Sequence, residues 1–354
     1  MAIETEPIGS IPRPPELIEA VRAHREGRLP EAQLEAQYAE AVKDTLHRFE
    51  QTGSPVLTDG EQRKASFATY PLDGLDNVAP EGVEIPFADG HVRCLPRLTR
   101  GPFRYAVKAD RFLREARELT DVPVKQAVIA PSALSLIYPE QGVEGYPREQ
   151  FLEDLVNESA SEIRACLDGG AHVVQLDFTE GRLAVKIDPS KTLLDQFIEL
   201  NNRVLDRFSD EQRYRIGVHT CPGGDLDSTH SLDVDYAELL PKLFELRAKR
   251  FYMQLASEPD RRRVLGIVRE HSKPDQKVFV GVIDPINPEV ETVEQVRDRV
   301  VEAAEYLPLD RLGTTDDCGF SPFGDDVSTA RERAFDKIRA RVEGTDVAAR
   351  VLGA

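Results

Sequence analysis

Short β-branched runs alternate with longer amphipathic stretches along this chain. The apolar runs are ETEPIGS (4–10), PVLTDG (55–60), PVKQAVIAP (123–131), HVVQLDF (172–178), RIGVHTC (215–221), RFYMQL (250–255), KVFVGVID (277–284) and RLGTTDDC (311–318). Each is the length of a strand, and they recur with a strand–helix period of about 30–50 residues, the pattern of a parallel sheet. Between them, apolar positions at helical spacing predict helices over 16–27, 30–52, 110–120, 148–168, 191–209, 234–247, 259–272, 292–306 and 328–343. The stretch 30–52 has Pro30 at its start and Gly53 just past its end, the expected asymmetry of a helix. Eight strands, each followed by a helix, predict an α/β fold of the (β/α)8 TIM-barrel type, read as a single catalytic barrel over 1–354. The segment 78–105 breaks the rhythm and predicts a small hairpin-like insertion after strand two. A doubly wound open sheet is the alternative, but no Gly-x-Gly-x-x-Gly follows the first strand.

A barrel carries its chemistry at the C-terminal ends of its strands. Here those ends read Ser10, Asp59 with Glu61, Ser132, Asp177, His219 with Cys221, Gln254, Asp284 and Cys318. Residues i and i+2 of a strand share a face, so His219 and Cys221 point the same way. An imidazole and a thiolate so placed are two corners of a Zn2+ site, and Cys318 closes the eighth strand at the same barrel end. Three protein ligands leave a position open, the catalytic pattern. Zinc held by two thiolates and an imidazole is close to neutral. It activates water poorly but suits a substrate thiol, whose proton it displaces while leaving the sulfur nucleophilic. The chemistry to expect is S-alkylation of a small thiol.

Composition narrows the partners. With 45 basic against 63 acidic residues the net charge is −18, which argues against nucleic acid or an anionic membrane as partner. No apolar run approaches a bilayer span, the N-terminus carries no basic-then-apolar signal, and four cysteines are too few for a disulfide framework. A cytoplasmic protein is expected. Cys94 and Cys166, in the insertion and in a helix, fit a purely structural role.

The motifs IGSIPRP (8–14), TDGEQRK (58–64), VPVKQAVIAPSAL (122–134), VVQLDFTEG (173–181), GVHTCPG (217–223), FVGVIDPINPEVET (279–292) and TTDDCGFSP (314–322) follow one another in a familiar order. On these motifs the chain resembles the catalytic C-terminal barrel of cobalamin-independent methionine synthase over nearly its whole length. It resembles the short type that has only that barrel. The resemblance implies zinc on His219, Cys221 and Cys318, and methyl transfer to homocysteine. It also implies that Ile8, Gly9 and Ser10 hold the thiol amino acid, with Glu61 and Asp177 as catalytic and substrate-binding carboxylates on its ammonium group. A buried amino group does need anionic partners.

The chain departs from the family pattern at four places. Gln254 stands where the family has a glutamate as fourth zinc ligand, with Glu258 a few residues on. Ile286 takes the place of a proton-donating histidine, and Phe178 that of an acid after strand four. A tryptophan that stacks on the folate has no counterpart in a chain with none. The partners expected are therefore a small thiol and a methyl or alkyl donor whose identity the sequence leaves open, since the thiol half of the family's site is matched and the folate half is not. An alkyl transferase similar to epoxyalkane:coenzyme M transferase is a second reading, with Arg13, Arg182 and Lys186 available for a sulfonate. A non-catalytic zinc- or thiol-binding homologue is a third. A metal-free barrel resembling uroporphyrinogen decarboxylase would leave the His219, Cys221 and Cys318 trio unexplained.

Overall fold

The structure is a computed structural model that describes residues 3–354. Seven parallel strands form its centre: Glu4–Thr5, Gln126–Ile129, Val174–Asp177, Ile216–Thr220, Arg250–Met253, Lys277–Ile283 and Leu312–Asp316. Glu4–Thr5 pairs with Leu312–Asp316, and the order then runs back through the chain to Gln126–Ile129. The strand expected at 55–60 contracts to a single parallel bridge between Leu57 and Val124. Its other side meets the first strand's continuation, where Thr58 Oγ1 donates to Gly9 O at 2.8 Å and Ile11 N to Gly60 O at 3.0 Å. The sheet thus closes into a (β/α)8 barrel. Both weak strands have a chemical reason: Pro7, Pro12 and Pro55 bring no N–H to a ladder. Gly60 and Glu61 then turn the chain at φ of 65° and 56°.

Helices cover the barrel, with several differences from the pattern expected, among them the short helices Pro131–Leu134 and Asp210–Arg213. The stretch 234–247 breaks into a short 3-10 turn, Tyr236–Glu238, and one helical turn, Leu240–Leu243, because Pro241 cannot sit inside a continuous helix. An additional helix, Glu180–Ile187, follows the Val174–Asp177 strand. The last helix runs Arg331–Leu352 rather than 328–343. It lies so close to the helix Val293–Ala304 that a Cβ on Gly344 would stand 2.4 Å from Val296 Cβ. None of the helices among the described residues is long and apolar enough to cross a membrane.

Inside the barrel Ile8, Val173, Tyr252 and Phe279 form a buried cluster. Tyr252 and Phe279 stack with centroids 4.6 Å apart. Two glycines on neighbouring strands make room for them. A Cβ on Gly217 would come within 2.4 Å of the Tyr252 ring, and one on Gly313 within 2.4 Å of Phe279. Toward the strand starts, Tyr252 donates its hydroxyl to Glu6 at 2.6 Å, and Lys125 Nζ lies 3.8 Å from the Tyr252 centroid. Burial alone would raise the Glu6 pKa, but the hydrogen bond from His172 and the charges of Lys125 and Arg250 hold it at about 2. The barrel is therefore filled from below, and its open space lies at the C-terminal ends of the strands.

Residues 78–98 form two antiparallel ribbons. Val78–Ala79 pairs with Arg97–Leu98, and Glu84–Pro86 with Val92–Cys94.

Gly313→Ala is expected to cost about 1–3 kcal/mol by overpacking against the Phe279 ring, measured as a lowered denaturant midpoint with unchanged m value.

Candidate active site

His219 is on the Ile216–Thr220 strand and Cys221 directly follows it. Cys318 follows Leu312–Asp316, which lies three strands away around the sheet. The ligand-capable atoms of the three nevertheless lie within 4.8 Å of one another. His219 Nδ1 sits 3.3 Å from Tyr252 O, a contact that puts the ring proton on Nδ1. Nε2 is buried and has no hydrogen-bond partner among the described residues. The two sulfurs are 3.2 Å apart and unbonded, and Gly223 N donates to Cys221 Sγ at 3.4 Å. Through their mutual hydrogen bond Cys318 is held well below the ordinary thiol range and Cys221 is pushed above it. A bare imidazole nitrogen beside two sulfurs, one already inclined to ionise, could hold a metal ion, and its soft donors suit a transition metal.

Asp317 holds the far cysteine in place. Its Oδ1 accepts from Leu255 N and Ala256 N, each at 2.8 Å; its Oδ2 accepts from Ser257 N at 2.8 Å and Ser257 Oγ at 2.7 Å. Its own N–H donates to Ile283 O at 2.8 Å. The carboxylate passes over Gly281, where a Cβ would stand 1.8 Å from Oδ1. No side chain fits at that position.

A cavity of about 610 Å³ opens beside His219 and Cys318. Ile8, Gly9, Ser10, Glu61, Asp177, His219 and Cys318 all border it. Gln175 positions two of these at once, its Nε2 donating to Ile8 O at 3.1 Å and to Asp177 Oδ1 at 2.8 Å. Burial raises the Asp177 carboxyl to about 7 against the pull of His219. Glu61 has a left-handed backbone steadied by its own N–H on Asp59 Oδ1 at 3.0 Å, local strain of the kind found at functional sites. Its carboxylate accepts from Lys64 Nζ at 2.8 Å. Burial works against the Lys64 charge, but Glu61 and Asp59 hold its pKa above the ordinary value. Ser10 Oγ accepts from Ser321 N at 3.2 Å, tying the first strand's end to the loop after Cys318.

The remaining sequence candidates lie elsewhere or are already engaged. Glu258 pairs with Arg182, whose guanidinium also lies 3.9 Å from the Tyr236 centroid. Gln254 donates to Ser257 Oγ at 2.7 Å, leaving its buried Oε1 without a partner. Arg13 is buried and donates to Glu61 O at 2.6 Å and Lys64 O at 2.8 Å. Lys186 is held by His230 O and Asp233 at 2.8 and 2.9 Å. None of Arg13, Arg182 and Lys186 borders the cavity. Phe178 is fully buried, and Ile286 stays 37% exposed in a separate depression with Gln254.

Other residues of the site carried no signal by themselves. Ile85, Phe87, Val92 and Leu95 of the inserted ribbon form an apolar wall of the cavity. Arg93 pins that ribbon, donating to Asp225 Oδ2 at 2.5 Å and to Asp325 at 3.0 Å while lying 4.2 Å from the Phe323 centroid. Asp225 belongs to the loop after Cys221, and Asp325 to the loop after Cys318. Glu180 and His230 also border the cavity.

Fold and site together define a parallel barrel with an imidazole–dithiol group at its C-terminal mouth. Residues 3–340 match the family model described as cobalamin-independent synthase, catalytic domain, and the chain belongs to that family. A methionine synthase from Sulfurisphaera tokodaii is 24% identical over 350 residues, covering 98% of this chain and 92% of the relative. An uncharacterized Bacillus subtilis protein is 25% identical, covering 94% and 91%. A B12-independent methionine synthase from Shewanella sp. W3-18-1, solved in complex with selenomethionine, superposes with TM-score 0.77 at 20% identity over 99% of both chains. A putative vitamin-B12 independent methionine synthase from Listeria monocytogenes gives 0.73 at 22% identity, covering 98% of both.

Asp317→Ala is expected to leave the barrel folded, by circular dichroism, and to abolish stoichiometric transition-metal binding in equilibrium dialysis, because Cys318 loses its anchor. Retained stoichiometric binding would contradict this account of the loop.

Proposed function

We propose that the protein is a zinc-dependent S-methyltransferase that methylates a small thiol, with homocysteine as acceptor and methionine as product. The observation that carries the reading is that one cavity joins His219 and Cys318, two of the three candidate ligands, to Ser10, Glu61 and Asp177. His219, Cys221 and Cys318 would hold the ion. Their donor set suits zinc, with the orphaned His219 Nε2 and the paired sulfurs as its natural contacts. When bound, zinc supplies the acidity that lets a thiol ionise at neutral pH.

This chain's own residues do the rest. Glu61 and Asp177 receive the amino acid's ammonium group, and Lys64 and Gln175 fix their orientation before substrate arrives. Ile8, Gly9 and Ser10 line the side on which the amino acid's backbone lies. The apolar ribbon keeps water from the methyl group during transfer. Methionine synthases among the relatives, and selenomethionine in the Shewanella structure, agree with a thioether product. A neutral Gln254 in place of a carboxylate makes the centre about one charge less negative than a four-ligand site with glutamate. The engaged states of Arg13, Arg182 and Lys186 favour an amino acid over coenzyme M, because they leave no cation for a sulfonate at those positions.

Purified protein should contain one zinc per chain by elemental analysis, and Cys318→Ser should lose it; zinc-free wild type sinks the proposal. Calorimetric titration of the zinc protein should show homocysteine binding at least tenfold tighter than coenzyme M. Glu61→Gln should weaken the first by about tenfold or more and leave the second unchanged, as expected for one charge-assisted contact of about 1.5–3 kcal/mol.

A further inference from the structure

Lys64 places an ammonium group of the protein itself beside a carboxylate meant for the substrate's ammonium. Its Nζ donates to Glu61 Oε1 at 2.8 Å and to Ala127 O at 2.9 Å, and both Lys64 and Glu61 border the cavity. Glu61 Oε2 takes no hydrogen bond from the described residues. Lys64 is 2% exposed, which leaves little of it to water. An ammonium has three N–H groups, and two oxygens satisfy only two of them. The remaining partner is an aromatic ring: Nζ lies over Tyr70, 4.4 Å from the ring centroid.

Tyr70 is built into the core and does not border the cavity. It opens the 3-10 turn Tyr70–Leu72, is fully buried, and meets the Phe112 ring edge-on at 6.1 Å. Its hydroxyl donates to Glu162 Oε1 at 2.7 Å, an oxygen that also takes Ala109 N at 2.8 Å. The ring is thus held between Lys64 and the helix Arg148–Asp168, which carries Glu162. Without the ring, a buried ammonium would be short of a partner. The acids whose charges act on Lys64 are Glu61, Asp59 and Asp177. Two of these are the carboxylates that receive the amino acid. A lysine released from Tyr70 therefore turns toward Glu61 Oε2 or Asp177 and competes with the substrate for them.

We propose that Tyr70 is a positioning residue that restrains Lys64 at Glu61 Oε1 and so leaves Glu61 Oε2 and Asp177 to the ammonium group of the substrate. The inference rests on the methyltransferase reading, and it makes Tyr70 a determinant of the preference for an amino-acid thiol over a thiol acid without the amino group. The restraint is the attraction of a desolvated cation for the negative face of the ring. It acts through Lys64 alone. A ligand feels it at its ammonium group and not at its sulfur.

The test is calorimetric titration of full-length zinc-loaded protein with homocysteine and with 4-mercaptobutyrate, the same thiol acid lacking the amino group. Wild type should prefer homocysteine. Tyr70→Leu should weaken homocysteine by about tenfold or more and leave 4-mercaptobutyrate within about twofold. Tyr70→Phe keeps the ring and should hold homocysteine within about threefold of wild type. Tyr70→Phe with a trifluorinated ring keeps nearly the same shape but loses the negative face. It should bind homocysteine, and only homocysteine, more weakly than Tyr70→Phe does, and it decides the matter if Tyr70→Leu does not fold. In a Lys64→Met background the same Tyr70 substitutions should change neither affinity, because the group they act through is gone. The proposal is overturned by unchanged homocysteine affinity in the fluorinated variant, by equal losses with both ligands, by losses that persist in the Lys64→Met background, or by a wild type that does not distinguish the two ligands. Methyl iodide keeps the two readings apart. A wild type that converts bound homocysteine to methionine but binds both thiols equally defeats this inference alone. A wild type that neither binds homocysteine nor alkylates it defeats the methyltransferase reading and the inference with it.

Discussion

One buried carboxylate, lying across the ends of three strands, decides whether this barrel has a reactive mouth. Neighbouring parallel strands sit about 4.8 Å apart, so the three spacings between the Cys318 and Cys221 strands amount to about 14 Å along the sheet. A cysteine side chain cannot cover that distance. Asp317 does it with backbone: four donors from residues 255–257 pull the start of the loop inward over the intervening strands. The sulfurs then meet at 3.2 Å. Gly281 is the complement of that arrangement, a side chain removed so that a carboxylate can pass. The bulge between Gly281 and Ile283 lies at the same crossing.

The alternation of short β-branched runs with longer amphipathic stretches made the barrel legible. It failed where tertiary contacts outweigh local pattern. The run at 55–60 is apolar enough for a strand, yet Pro55 and the turn at Gly60–Glu61 leave it one bridge at Leu57. Helix Glu180–Ile187 hid in the motif that contains Asp177, and Pro241 was a readable breaker inside an amphipathic stretch. At the site, spacing and strand ends pointed to His219, Cys221 and Cys318, and motif order to Ile8–Ser10, Glu61 and Asp177. What could not be read were the partners. That Glu258 is taken by Arg182, that Gln175 serves Ile8 and Asp177 together, and that Ser132 meets Glu180 all depend on which loops come together across the mouth. Such contacts leave no trace in local composition. Glu180 was in plain view in VVQLDFTEG, but only its burial without a cation distinguishes it from a solvated loop acid.

Three carboxyl groups around one cavity are held in different states by their surroundings. Glu61 is clamped by Lys64, Asp177 sits between Gln175 and His219, and Glu180 has only hydroxyl and amide company. Setting the environments of like groups apart lets acids within one pocket titrate differently. The net charge of −18 has little bearing on this division, since each group answers to neighbours within hydrogen-bonding distance.

Arg93 closes contacts across 132 and 232 residues of chain, to Asp225 and Asp325. Asp225 lies in the loop after Cys221 and Asp325 in the loop after Cys318, so the arginine bridges two loops that the barrel strands carry. The ribbon that carries Arg93 is thus a tenant of the barrel rather than part of its frame. It fastens near its tip, where Arg93 and His91 both meet Asp225 and Ala88 N donates to Thr229 O, and its apolar inner face lines the cavity. In evolutionary terms the two parts can drift at different rates. Substitution or resizing of the ribbon can reshape the cavity wall, while the strands beneath keep His219, Cys221 and Cys318 together.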